Sequence, residues 1–138
     1  MKLVQDLMTR ELLTLKPDNS LQDAEKLMKE HQIRHIPVVN DDGSIAGVLT
    51  QKEFLAQAFR ITDKFGAHHL QEYLAKTPLS DCAETNYLQV APTMTLAEAG
   101  RKLKEKRHGC LLVCDENNRL SGLLTSQDFL RLAIILLD

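Results

Sequence analysis

Two pairs of side chains carry the most specific chemistry in this 138-residue chain: Thr50 with Glu53, and Thr125 with Asp128. Each pair sets a hydroxyl and a carboxylate three residues apart, directly after an apolar run. That spacing is a capping box, in which both groups satisfy orphan backbone N–H groups at a helix start. The same residues support a second reading. A helix start attracts anions, and a carboxylate held there can accept hydrogen bonds from a sugar diol. Capping and ligand binding are compatible.

Other reactive side chains are less suggestive. His68 and His69 are adjacent, and neighbours on a helix point in different directions, so a solvated pair fits better than a metal site. His108, Cys110 and Cys114 form a second metal candidate. The two cysteines share strand parity, but four residues of strand span roughly 13 Å. One ion with Zn–S bonds near ~2.3 Å cannot bridge them, and buried cysteines acting as small hydrophobes fit better. No nucleophile elbow, Walker loop or paired His-Glu zinc motif occurs, and Ser, His and Asp stand in no catalytic order. The chain reads as a non-enzyme without a metal or catalytic cofactor.

Composition narrows the class further. With 43% hydrophobic and 26% charged residues the chain is globular. A net charge of −2 leaves no basic footprint, and 4% aromatic residues leave no stacking platform, so nucleic acid is argued against. No apolar run approaches the ~20 residues of a membrane span. Met1 to Asp6 lacks the apolar core of a signal peptide. Three cysteines without framework spacing point to a reducing compartment. The expectation is a soluble cytoplasmic protein with no membrane partner.

The elements that position the two pairs are themselves duplicated. Gly47-Val48-Leu49-Thr50 returns as Gly122-Leu123-Leu124-Thr125, an offset of 75 residues. The same offset relates Asp6 to Asp81, Pro17 to Pro92, Leu21 to Leu96, Ala24 to Ala99 and Val38 to Val113. A fixed offset marks two copies of one supersecondary unit. The boundaries are repeat 1 at 1–60, a connector with a short helix at 61–77, and repeat 2 at 78–138. Each copy is too small for a generous core alone, so the two should pack as one unit.

In the first copy, a lead-in helix within Met1–Met8 precedes a short strand at Leu12–Leu15. Lys16-Pro17-Asp18-Asn19 is turn chemistry. Ser20 and Asp23 open a helix whose Leu21, Ala24, Leu27 and Met28 share one face. Arg34 to Val39 and Ile45 to Thr50 form a hairpin around Asp42-Gly43, with Pro37 where no ladder donor is needed. Gln51 to about Arg60 is the second helix; Thr62 to Gly66 reads as a loop, and His68 to Lys76 as a short helix. The second copy repeats the order: a strand at Asn86–Val90, a helix capped by Thr95 and Glu98, a strand at Cys110–Cys114, and a hairpin turn at Asp115–Asn118. Its last helix, Ser126 to Leu137, is apolar on nearly every side. That implies burial on more than one face, against the other half, a second subunit or a partner, with self-association the simplest case.

This duplicated β-α-β-β-α unit, ending in Gly-apolar-apolar-Thr-x-x-acid, resembles the cystathionine β-synthase (CBS) domain, and two in tandem resemble a Bateman module. The likeness runs from about Asp6 to Leu130 and rests on Arg34 to Val39, Gly47 to Glu53 and Gly122 to Asp128. It implies an α/β (α+β) fold of two pseudo-symmetric repeats packed sheet to sheet, with clefts between them for adenosine-containing ligands. By resemblance, Asp128 accepts the ribose hydroxyls and Thr125 bonds ribose or phosphate, with Glu53 and Thr50 in the same roles in the other cleft. Ile36, Pro37 and Val38 line the adenine slot with Leu111 and Leu112. Thr14 and Leu15, or Gln89 and Val90, complete it. Arg34 and His35 become phosphate contacts, consistent with the bidentate grip of a guanidinium.

Three departures from the family pattern favour one competent site, around Asp128 and Thr125. Glu53 replaces an aspartate. Gly109, Cys110 and Leu112 stand where the first copy has Arg34, His35 and Pro37, and Gln89 stands for Thr14. The resulting expectation is a stand-alone regulatory module, a homodimer, sensing AMP, ADP, ATP or S-adenosylmethionine and acting through a separate effector protein. The alternative is a dimerisation scaffold with vestigial clefts.

Overall fold

The computed structural model describes residues 1–106 and 109–138, with Lys106 as backbone only. The His108 candidate therefore lies outside the described residues. In chain order the elements are α1 (Val4–Leu7), α2 (Leu21–His31), β1 (His35–Val39), β2 (Ile45–Thr50), α3 (Gln51–Phe65), α4 (Leu70–Lys76), β3 (Gln89–Val90), α5 (Leu96–Lys106), β4 (Cys110–Cys114), β5 (Leu120–Thr125) and α6 (Ser126–Leu137). The fold is α+β, and strands and helices recur in two copies. In space the chain divides into two compact units, residues 13–86 and residues 1–12 with 87–138.

In the 13–86 unit, β1 and β2 pair antiparallel with His35 opposite Thr50 and Pro37 opposite Val48. The turn closes through Gly43, whose φ of 90° suits glycine, and Asn40 N donates to Ser44 O at 2.8 Å. The strand expected at Leu12–Leu15 shrinks to one parallel bridge between Leu15 and Val38. A lysine–proline turn follows at once, and Pro17 has no N–H to extend a ladder. Helix α2 is capped reciprocally: Asp23 N donates to Ser20 Oγ at 3.1 Å, and Ser20 N to Asp23 Oδ2 at 2.9 Å. Its buried Leu21, Ala24 and Met28 join Ile36, Val38, Leu49, Phe54, Ile61 and Leu74 in one core.

The loop expected at Thr62–Gly66 is instead the last turn of α3, which runs to Phe65. Buried Ile61 anchors that turn, and Phe65 stacks on Tyr73 with ring centroids 3.8 Å apart. The polar run Thr62-Asp63-Lys64 is largely the wet side of a helix. Gly66, at φ 91°, ends it by donating its N–H to Thr62 O at 2.9 Å.

The other unit holds a three-stranded sheet in the order β3-β4-β5, with β3 parallel to β4 and β5 antiparallel to it. Cys110 lies opposite Thr125, as His35 lies opposite Thr50. Val90, Leu96, Ala99, Leu103, Leu111, Val113 and Leu124 form its core with Val4, Leu7 and Met8. Helix α6 contributes only Phe129 and Leu132 to that core. Leu130, Ile134, Ile135, Leu136 and Leu137 are exposed, with Ile134 at 60%. The expectation of burial on more than one face is not met within a single copy of the chain, because two inward residues suffice to seat the helix.

The lead-ins are exchanged between the copies. Residues 2–9, ahead of the first copy, pair with the second: Leu96 N donates to Lys2 O at 2.8 Å, and Thr9 and Leu123 exchange bonds of 2.9 and 3.0 Å. Reciprocally, Leu21 N donates to Thr77 O at 2.9 Å, and Val48 and Glu84 exchange bonds of 2.9 and 2.8 Å. The glycine that opens each returning stretch makes this crossing possible. A Cβ on Gly47 would sit 2.8 Å from Glu84 O, and one on Gly122 would strike Met8 Sδ and lie 3.2 Å from Thr9 O.

Candidate functional site

Strand β5 runs directly into α6 at Thr125, and this junction sets Asp128 on the first turn of the helix. Asp128 is 7% exposed, the one charged side chain buried among the described residues. Its carboxylate engages four donors. Oδ2 accepts from Thr125 N at 2.8 Å and from Thr125 Oγ1 at 3.4 Å. Oδ1 accepts from Thr9 Oγ1 at 3.3 Å and from Arg131 Nη2 at 3.0 Å. The same Nη2 donates to Leu7 O at 3.2 Å. A buried carboxylate is tolerable because each lone-pair direction meets a donor, one of them charged.

The equivalent junction in the 13–86 unit is wired differently. Thr50 Oγ1 accepts from Glu53 N at 3.1 Å, but the Glu53 carboxylate does not return to the cap. Glu53 Oε1 accepts from Gln57 Nε2 at 3.1 Å and lies 3.7 Å from Arg60 Nη1. The Glu53 side chain is 36% exposed. Thr50 is therefore half of a capping box.

Arg34 and His35 are brought to this junction. His35 pairs with Thr50 across the hairpin, and Gln51 N donates to Arg34 O at 2.8 Å. Arg34 is exposed and His35 half-buried. Burial first, and then the neighbouring Arg34 cation, lower the His35 pKa. Cys110, at the matching position, is buried, and burial pushes its thiol up to about 12.

The apolar candidates are placed deeper. Ile36, Val38 and Leu111 are fully buried core residues, and Val90 is nearly so. Pro37 and Leu112, at alternate strand positions, are fully buried too. Leu15 is half-buried and Thr14 exposed. Gln89, in Thr14's place, donates its side-chain amide to Asn118 Oδ1. Thr9 and Arg131 were not anticipated as partners of Asp128. Arg131 had a signal, because residues three apart on a helix are neighbours. Thr9, 119 residues away, had none.

Among the described residues no group of three His, Cys, Asp or Glu side chains forms a metal site, and no helix is long and apolar enough to cross a membrane. The chain is a tandem pair of α-β-β-α modules, led by strand β3 in the second copy and by the single Leu15–Val38 bridge in the first, each presenting a threonine and a carboxylate where a hairpin enters a helix. The family model described as CBS domain matches residues 4–59 and again 79–134, and the chain belongs to the CBS-domain family.

The CBS domain-containing protein YhcV of Bacillus subtilis is 31% identical over 93% of this chain and 83% of its own length. The structure of CBSX2 in complex with AMP is 27% identical, with a TM-score of 0.81 and full coverage of both chains. CBSX2 from Arabidopsis thaliana matches at 28%, with a TM-score of 0.79 over 97% of this chain and 95% of that one. A homoserine O-acetyltransferase of Methanohalobium evestigatum is 27% identical over 94% of this chain, which spans 24% of that enzyme.

Proposed function

We propose that this chain is a non-catalytic regulatory module that binds an adenosine-containing ligand, with Asp128 accepting the ribose diol and Thr125 bonding ribose or phosphate. The buried, donor-saturated Asp128 at the start of α6 carries the reading. A carboxylate that costs this much to bury is poised to exchange donors with an incoming diol. The AMP complex of CBSX2, a relative covered over its whole length, supports the ligand class. AMP, ADP, ATP and S-adenosylmethionine are the ligands to test. Thr50, Glu53, Arg34 and His35 are the second, weaker candidate, in the 13–86 unit, with apolar walls assigned there to Leu15, Ile36, Pro37 and Val38 and Thr14 at their edge; in the other unit Val90 and Leu111 take that part beside Asp128. Repeats 1–60 and 78–138, with the 61–77 connector, act as one cytoplasmic Bateman module and signal to a separate effector.

A dimerisation scaffold is the second reading, favoured by the exposed apolar side of α6. The matched pairs Leu55/Phe59 on α3 and Leu130/Ile134 on α6 are all exposed, Phe59 at 72%. We include homodimer formation in both readings.

Thermal unfolding against a panel of AMP, ADP, ATP, S-adenosylmethionine and NAD decides between them. A ligand at 100 times its Kd adds about 2.7 kcal/mol, which raises the midpoint by roughly 6–15 °C. Asp128→Ala should remain folded and lose the shift. Silence across the panel with nucleotide-free protein would overturn the sensor in favour of the scaffold.

A further inference from the structure

We propose that Arg131 sets the charge that the Asp128 site accepts next to the ribose, favouring adenosine ligands with an anion at the 5′ position over those that are neutral or cationic there. This rests on the sensor reading above. A carboxylate offers about four acceptor directions. In Asp128 all four are occupied: Oδ2 by the Thr125 N–H and hydroxyl, Oδ1 by the Thr9 hydroxyl and the Arg131 guanidinium. The Thr125 N–H is fixed by the helix start. A diol can therefore enter at Oδ1, where the Thr9 bond is long at 3.3 Å and the Arg131 side chain, 58% exposed, can turn toward solvent by giving up its bonds to Asp128 and to Leu7 O.

Displacing Arg131 breaks a charge-assisted bond of the stronger kind. The loss is offset when the released cation meets an anion on the same ligand. A phosphate does this, and the planar guanidinium matches its oxygens. A neutral nucleoside leaves the cation without its partner. In S-adenosylmethionine the sulfonium takes the place of the 5′-phosphate and repels the released cation, while its carboxylate lies four bonds further out. The first copy lacks this device. Ala56 stands at the position matching Arg131, and the guanidinium near Glu53 comes from Arg60, seven residues on and 3.7 Å away.

Titration calorimetry of the full chain with AMP, adenosine and S-adenosylmethionine, in wild type and Arg131→Ala, tests this. Wild type should prefer AMP to both others. In Arg131→Ala the AMP-to-adenosine affinity ratio should fall roughly tenfold, the scale of one hydrogen bond to a charged group. S-adenosylmethionine should bind the variant at least as tightly as wild type. Arg131→Lys, which keeps the charge, should retain most of the preference. If Arg131 only holds Leu7 in place, all three ligands weaken together and the ratio stays constant, which overturns the proposal and leaves the sensor intact. Binding of none of the three to wild type overturns this proposal, and it overturns the sensor as well when ADP, ATP and NAD are also silent in the thermal panel.

Discussion

Asp128 and Glu53 occupy matched positions in two copies of one scaffold, yet one carboxylate is buried and saturated while the other lies along its helix, a third exposed. The divergence begins at the carboxylates themselves. Asp128 folds back onto the Thr125 N–H, whereas Glu53 reaches forward to the amide of Gln57 and the guanidinium of Arg60. The exchanged lead-ins complete it. Thr9 offers a hydroxyl to Asp128, and its counterpart Glu84 is a second carboxylate that accepts from Asn86 N at 2.7 Å. Duplication kept the backbone plan and let the donors around each acid drift apart.

The sharpest way to break the symmetry is at the two glycines. Gly47→Ala meets a backbone carbonyl, and overpacking of that kind costs ~2–3 kcal/mol. Gly122→Ala mainly meets the flexible Met8 side chain and should cost about 1 kcal/mol. Urea unfolding of the two variants reads the difference directly, and equal losses would mean that both crossings relax alike.

The acids come next. Asp128→Ala removes a buried acceptor with four donors and should cost about 1–3 kcal/mol. Glu53→Ala removes partly exposed contacts and should cost under ~0.5 kcal/mol. A costlier Glu53 variant in chemical unfolding would contradict the contrast drawn here.

Position 35 and its counterpart 110 should split the pH dependence. The folded pKa of His35 is lowered, so the unfolded chain binds the extra proton. Its stabilisation is whole above the ordinary histidine range and declines as pH falls through that range, and His35→Gln should flatten the acid limb. The Cys110 thiol is raised to about 12, so its contribution is whole below the free-thiol pKa and declines as pH rises through the raised value. Cys110→Ser should make the alkaline limb shallower, the rest of it belonging to Cys82 and Cys114, which burial raises to about 11. Unfolding free energies from pH 5 to 10 check both signs. The smallest effect belongs to Arg60→Ala, within about 0.5 kcal/mol of wild type, because its ion pair is 3.7 Å long and exposed.

The repeat, the order of elements apart from the Leu12–Leu15 strand, and the caps at Ser20, Thr50 and Thr95 were legible because each is a local pattern with a local cause. The last turn of α3 was not. Its residues Thr62, Asp63 and Lys64 have the composition of a loop, and only tertiary contacts at Ile61 and Phe65 keep them helical. At the site, Thr125 and Asp128 were readable from spacing, whereas Thr9 was hidden by distance along the chain. The lead-in exchange was hidden for a different reason. A 75-residue offset holds equally whether Leu3 to Thr9 docks on its own copy or on the other.

That exchange also orders events during synthesis. By the time residue 86 has emerged from the ribosome, the 13–86 unit has every strand, helix and crossing segment it uses. Residues 1–12 precede that unit in synthesis but meet their bridge partners Thr95 and Leu123 only after it has been made. Vectorial translation thus delivers the 13–86 unit while the segment ahead of it still waits for partners made later. Proteolysis of stalled nascent chains should find 13–86 protected well before Met1–Leu12.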